Sequence, residues 1–236
     1  MSQIQYIFSG AFSYAYSKSY SSVTSNPLNI TTITLNEGIE GIGAFAFSSM
    51  NYYDSNSYIN NTTYQYLYSK LETINLPSTL VSIEYGAFYN CQKLDSVEIP
   101  GTVTNIADYA FWRCRDLSTD INAGTITIGN WSFYGCSNLD NQTFPATITS
   151  IGNGAYFGCT SFTEINIPSS IQSIGDNAFS GCNNVRKIQI EEGLKTIGSK
   201  AFNGLDKVTN LIIPTTVTSM GEGIFSGMSA LEELTI

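Results

Sequence analysis

Leu94-Asp95-Ser96-Val97-Glu98-Ile99-Pro100-Gly101-Thr102-Val103-Thr104-Asn105-Ile106-Ala107-Asp108-Tyr109-Ala110-Phe111-Trp112-Arg113-Cys114 holds one complete structural unit. Val97 and Ile99 alternate with polar neighbours, which is strand periodicity in β-branched residues. Pro100 follows at once; lacking an N–H, it stops the ladder there. Val103 and Ile106 form a second apolar pair suited to a return leg. Ala110-Phe111-x-x-Cys114 then reads as a tight, one-turn helical corner whose aromatic points inward and whose alanine is small because a neighbour lies close.

Working outward, the pattern recurs. Phe162 to Cys182 repeats it nearly position by position, and Leu71–Cys91, Leu139–Cys159, Val185–Leu205 and Val208–Met228 vary on it. Leu117–Cys136 is one residue short and lacks the proline, and a partial unit runs from Leu231 to Ile236. All five cysteines (Cys91, Cys114, Cys136, Cys159, Cys182) fall in one row with steps of 23, 22, 23 and 23 residues. An aromatic stands three residues before each, and that row continues to Phe202 and Phe225. A fixed period of this length specifies a solenoid, in which one supersecondary unit stacks on copies of itself. The expectation is a single domain over residues 1–236, with one short parallel strand per turn spaced by about 4.8 Å and an irregular or short helical convex side.

Bulk properties narrow the function. The chain has 236 residues, a net charge of −9 and no histidine. Without histidine there is no Ser-His-Asp or Cys-His site and no Cys/His zinc finger. A net negative chain is a poor partner for nucleic acid or anionic lipid, which need clustered Lys and Arg. No apolar run of spanning length occurs, and the first residues have neither the basic start nor the apolar stretch of a signal peptide. With 12% charged residues, the surface is dominated by Ser, Thr, Asn, Gln and Tyr.

The unit Leu-x-x-Ile-x-Ile-Pro-x-x-Val-x-x-Ile-(Gly)-x-x-Ala-Phe-x-x-Cys resembles the leucine-rich repeats of the BspA-like, treponemal-type class. Gly43, Gly129, Gly152, Gly175, Gly198 and Gly221 occupy the glycine place. The match covers the chain outside two insertions. The resemblance implies an α/β-type leucine-rich repeat solenoid serving as a non-enzymatic protein- or glycoprotein-binding module of a cell-surface or secreted adhesin-like protein. Its partners would be extracellular matrix or another cell surface, with no cofactor. Where better-known leucine-rich repeats carry asparagine after the strand, this chain has Thr79, Thr102, Thr147, Ser170 and Thr216. A hydroxyl ladder satisfying backbone groups at the bend is expected.

The cysteines read as buried thiols filling one core layer, because Met50, Leu205 and Met228 stand in the same place. A ladder spreads ligands along a line, whereas a metal needs them around a point. Parallel neighbours and an odd count disfavour disulfides.

Two insertions, near residues 13–29 and 51–70, fall at the same point of successive units. They carry Tyr14, Tyr16 and Tyr20, then Tyr52, Tyr53, Tyr58, Tyr64 and Tyr66, among Ser and Asn. That is the composition of antibody contact loops, and side-by-side placement predicts one tyrosine-rich patch. The competing reading is neutral decoration, since loop length costs little. The outward strand positions carry Glu72, Asp95, Glu98 and Glu164, an acidic stripe ending in the basic pair Arg186 and Lys187. This stripe is a second candidate partner surface or simply a solvated face. The sequons at Asn29, Asn60, Asn61, Asn130 and Asn141 are expected by chance in so Asn- and Thr-rich a chain. A structural alternative remains: with no polar cap at either end, copies could stack end to end as a fibre, or the chain is part of a longer array.

Overall fold

The computed structural model describes residues 5–11, 30–48, 70–121 and 124–236. These form a right-through parallel β-solenoid of stacked turns, with fifteen short strands among the described residues. Each turn has two legs and a corner. The first leg supplies β2 (Thr32–Thr34), β4 (Thr73–Asn75), β9 (Glu164–Ile167), β11 (Lys187–Ile190), β13 (Asn210–Ile212) and β15 (Glu233–Thr235), joined as three two-stranded sheets. The return leg supplies β1 (Tyr6–Ile7), β3 (Gly41–Ile42), β5 (Ser82–Ile83), β6 (Asn105–Ile106), β7 (Thr127–Ile128), β8 (Ser150–Ile151), β10 (Ser173–Ile174), β12 (Thr196–Ile197) and β14 (Ser219–Met220). These join in one nine-stranded parallel sheet, each inward isoleucine in register with the next.

One strand per turn was therefore an undercount, and the continuous sheet lies on the leg expected to be only a return path. Glycine explains the continuity. A Cβ on Gly152 would stand 2.6 Å from the carbonyl carbon of Gly129, and one on Gly175 would stand 2.5 Å from the Asn153 nitrogen. The residue after each inward isoleucine passes so near the previous turn that glycine is favoured for space. On the first leg the ladder weakens in the middle of the molecule to two isolated bridges, Thr73 with Ser96 and Ser96 with Ser118. This is where the short, proline-free unit falls.

Two side chains carry the first leg across that gap. Gln142 occupies the inward place taken elsewhere by Ile or Val and is buried. Its Oε1 accepts from the Ile121 N–H (3.2 Å), and its Nε2 donates to the carbonyls of Thr119 (3.0 Å) and Asp140 (2.9 Å). On the other side, Asn141 Oδ1 accepts from the N–H groups of Thr163 and Glu164 at 2.7 and 3.0 Å, and its Nδ2 donates to Thr163 Oγ1. The amide side chains replace the strand bonds that the shortened turn cannot make.

The bend after the first leg is a β-turn opened by proline: the carbonyls of Pro77, Pro100, Pro145, Pro168 and Pro214 accept from the apolar residue three places on. The expected hydroxyl ladder is present at four places. Thr79 Oγ1 accepts from the Gly38 N–H and donates to the Ile39 carbonyl. Thr102 and Thr147 donate to carbonyls of the preceding turn, and Thr216 accepts from the Gly193 N–H. Ser170 breaks the row, its buried hydroxyl making no hydrogen bond.

No helix occurs among the described residues, which corrects the expected helical corner. Around each stacked aromatic from Phe88 to Phe202, the residues two before and two after have positive φ, as at Tyr109 (59°) and Arg113 (56°), or Gly154 (57°) and Gly158 (70°). Left-handed residues at that spacing cannot continue an α-helix. They turn the backbone so that alternate N–H groups point along the solenoid axis: Tyr109, Phe111 and Arg113 donate to Asn130, Ser132 and Tyr134 of the next turn. Inter-turn bonds thus replace helical ones.

The core is a set of rows. Phe47, Phe88, Phe111, Phe133, Tyr156, Phe179 and Phe202 stack with centroids 5.1–6.0 Å apart and rings within 14° of parallel. Each is buried, and such burial stabilises by about 1.5–3 kcal/mol per ring.

Candidate interaction surfaces

The tyrosines Tyr14, Tyr16, Tyr20, Tyr52, Tyr53, Tyr58, Tyr64 and Tyr66 lie outside the described residues. The chain to either side of them is described. After the insertions, β2 and β4 pair in register, Thr32 with Thr73, and the N–H groups of Glu72 and Thr73 both donate to the Thr31 carbonyl. Before them, Gly10 donates to the Ala44 carbonyl. The two insertions therefore leave and rejoin the scaffold on bonded neighbouring turns.

Of the acidic residues, Glu72 and Asp95 come together. They line a shallow open groove with Lys93, Asp116, Ser137 and Asn138, in which Lys93 Nζ pairs with Asp116 Oδ2 at 3.0 Å. Glu98 is exposed but does not line that groove. Glu164 sits three turns on, in register with Lys187 of β11, so the acidic stripe is interrupted by a cation at its end. An exposed pair such as Lys93–Asp116 contributes about 0–1 kcal/mol.

All five cysteines are buried free thiols. Each Sγ donates to the carbonyl of the stacked aromatic one turn earlier, from Cys91 to Phe47 (3.1 Å) through Cys182 to Tyr156 (3.1 Å). Burial pushes Cys182 up to about 12 and Cys114, Cys136 and Cys159 well above the ordinary thiol value. These are neutral packing groups with one weak hydrogen bond, not nucleophiles. Among the described residues, no three His, Cys, Asp or Glu side chains are grouped to hold a metal ion.

Two features went unread in the sequence. One is a ladder at the residue following the glycine place. Asp108 Oδ1 accepts from the Asn130 N–H, Asn130 Oδ1 from the Asn153 N–H, Asn153 Oδ1 from the Asp176 N–H and Asp176 Oδ1 from the Ser199 N–H, at 2.6–2.8 Å. Its signal was the run of Asp, Asn and Ser at a fixed offset from each isoleucine. With Asn130 Nδ2 also bonded to Asp108 Oδ2 and Asn141 Nδ2 to Thr163, both described sequons have their amides in use.

The other is a second aromatic row, on the surface of the corner. Tyr89, Trp112, Tyr134 and Phe157, each one residue after a core aromatic, stack with centroids 4.3, 5.5 and 5.0 Å apart. Phe45 stands edge-on to Tyr89, Trp131 is edge-on to Tyr134 and tilted to Phe157, and Tyr85 and Tyr109 tilt against each other. The guanidinium of Arg113 lies 4.3 Å over Trp112 and 6.0 Å from the Tyr134 centroid. The surface place holds Tyr89, Trp112, Tyr134 and Phe157 but then Ser180 and Asn203, so it lacks the full-length regularity that marks the inward row.

Comparison with known proteins agrees with this architecture. A leucine-rich repeat protein from Bacteroides ovatus is 27% identical, with a TM-score of 0.72 over 88% of this chain and 49% of that one. A leucine-rich cell surface protein from Faecalibacterium prausnitzii is 25% identical, with a TM-score of 0.55 over 87% and 59%. The leucine-rich repeat protein of T. pallidum shares the fold at 21% identity, with a TM-score of 0.63 over 86% and 78%. The chain thus spans about half the length of the first of these and under two thirds of the second. A search of curated proteins found no match. A family model described as the BspA type leucine-rich repeat region, in six copies, matches residues 57–171 and 149–236. This chain belongs to the BspA-type leucine-rich repeat family, a non-catalytic repeat fold whose members are generally protein-interaction modules.

Proposed function

We propose that the chain is a non-enzymatic binding module of a surface or secreted adhesin-like protein, recognising a protein or glycoprotein. The observation that carries this reading is the rooting of two tyrosine-rich insertions on hydrogen-bonded neighbouring turns of a rigid ladder. Rigid scaffolds concentrate function in their loops, and Tyr with Ser and Asn offers wide contacts at low entropic cost. The surface-protein relative from F. prausnitzii supports the setting.

The test replaces residues 51–66 with a short Gly/Ser linker and measures capture of immobilised extracellular matrix beside the melting temperature. The excision is tolerable because the chain crosses the same point between Cys91 and Leu94 with two residues. Loss of capture at an unchanged melting temperature is expected. Unchanged capture by the folded deletion would move the site to the strand face around Glu72 and Asp95.

A further inference from the structure

Each corner demands a left-handed residue two places after its core aromatic. Gly135, Gly158, Gly181, Gly204 and Gly227 fill that place at no steric cost. In one turn it is filled by Arg113, at φ 56°. Two places before the aromatic, where neighbouring turns use Gly86 and Gly154, the chain puts Phe45, Tyr109 and Trp131 and, further on, Asn177 and Lys200, at φ 55–59°. Bulky side chains are uncommon at such φ, and in the turn of Phe111 both places carry one, Tyr109 and Arg113.

The repeat itself does not require these rings. Beyond Phe157 the same surface place holds Ser180 and Asn203, while the core stack continues to Phe202. The surface row is a local addition, and Arg113 crosses its middle. Its guanidinium lies over Trp112 and beside Tyr134 and forms no ion pair or side-chain hydrogen bond among the described residues. Trp, Tyr and Arg are the residues that dominate binding hot spots. A planar guanidinium with its fork unused matches a carboxylate, which it can take through two parallel N–H bonds. The stacked rings, within 18° of parallel, cover one another's faces and are half-buried. Faces already covered by neighbouring rings are not free to stack on the flat face of a sugar.

We propose that the corner formed by Tyr89, Trp112, Arg113 and Tyr134 docks a protein partner through an Asp or Glu carboxylate flanked by apolar side chains. None of these four residues lines the acidic groove.

The experiment selects phage-displayed random dodecapeptides on the 236-residue chain, with counter-selection on Arg113→Gly. Glycine suits the left-handed backbone, so that variant should keep the parent melting temperature within a few degrees. Arg113→Gln, which retains the packed stem, serves as a second variant. Enriched sequences should carry Asp or Glu beside aromatic or aliphatic residues. The best synthetic peptide should bind both variants at least about tenfold more weakly than the parent, with Arg113→Lys in between. Failure to enrich acidic peptides, or equal binding by parent and both variants, overturns the proposal. So does binding to a sialylated glycan panel at this corner when acidic peptides do not bind.

Discussion

Tyr156 stands in a row of phenylalanines, and its hydroxyl is buried without a hydrogen-bond partner. Burial drives its ionisation far above the ordinary tyrosine range, so it is a neutral phenol carrying an unmet polar group among Phe133, Phe144, Phe162 and Phe179. Ser132 poses the same problem in the alanine row, where Ala110 and Ala155 are its neighbours and its Oγ is unpaired. Removing an unsatisfied buried group recovers its desolvation cost of about 1–3 kcal/mol when shape is kept. Tyr156→Phe and Ser132→Ala should each raise stability, by about 1 kcal/mol, read as a shift of the urea midpoint at constant slope. A fall in midpoint for both would mean that these hydroxyls have partners. The cysteines differ in this respect, because each thiol has found a carbonyl. Their substitution by Leu205 and Met228 in later turns forgoes that bond and keeps the packing.

At the scale of the element, the legible and illegible parts separate cleanly. Side-chain rows could be read from the sequence because stacking makes equivalent positions neighbours, so a period of about 23 residues translates directly into a core. The backbone between the rows could not be read as easily. Ala110-Phe111-x-x-Cys114 has helical spacing, yet the corner is two consecutive turns set by left-handed residues. The glycine before the cysteine place was the visible sign in five units, and Asn90 and Arg113 mask it in two. The weight of the return-leg sheet was hidden because a two-residue strand has no periodicity to detect. The short unit is legible in the sequence, but its repair by amide side chains depends on contacts across turns. Gln142→Leu keeps an apolar side chain in the inward place while orphaning the Ile121 N–H and the Thr119 carbonyl. It should lower stability by about 1–3 kcal/mol, whereas the same exchange at an exposed position such as Gln189 should be near neutral. Equal effects in denaturant melts would show that the amide bridge contributes nothing.

Over the whole molecule, the short unit raises the question of whether the solenoid unfolds as one body. Stacked repeats hold together through nearest-neighbour interfaces, so a weak interface can divide an array into independently unfolding segments. The first leg is weak between Ser118 and Thr163, where its described residues form no regular strand. The remaining rows run through that region unchanged. The return-leg sheet keeps its register from β6 through β7 to β8. The core aromatics from Phe111 through Phe133 to Tyr156 stay 5.3–5.4 Å apart. The Asp108–Asn130–Asn153 ladder crosses the same turns. Three continuous rows outweigh one interrupted leg, so the expectation is a single cooperative transition. The cysteines report on it directly, being unreactive while buried and neutral, with two before the short unit, one within it and two after. Alkylation across a urea series, with each site quantified by mass spectrometry, should give one midpoint for Cys91, Cys114, Cys136, Cys159 and Cys182. Separate midpoints for the pair Cys91 and Cys114 and the pair Cys159 and Cys182 would place a boundary at the short unit and show that the first leg governs cooperativity.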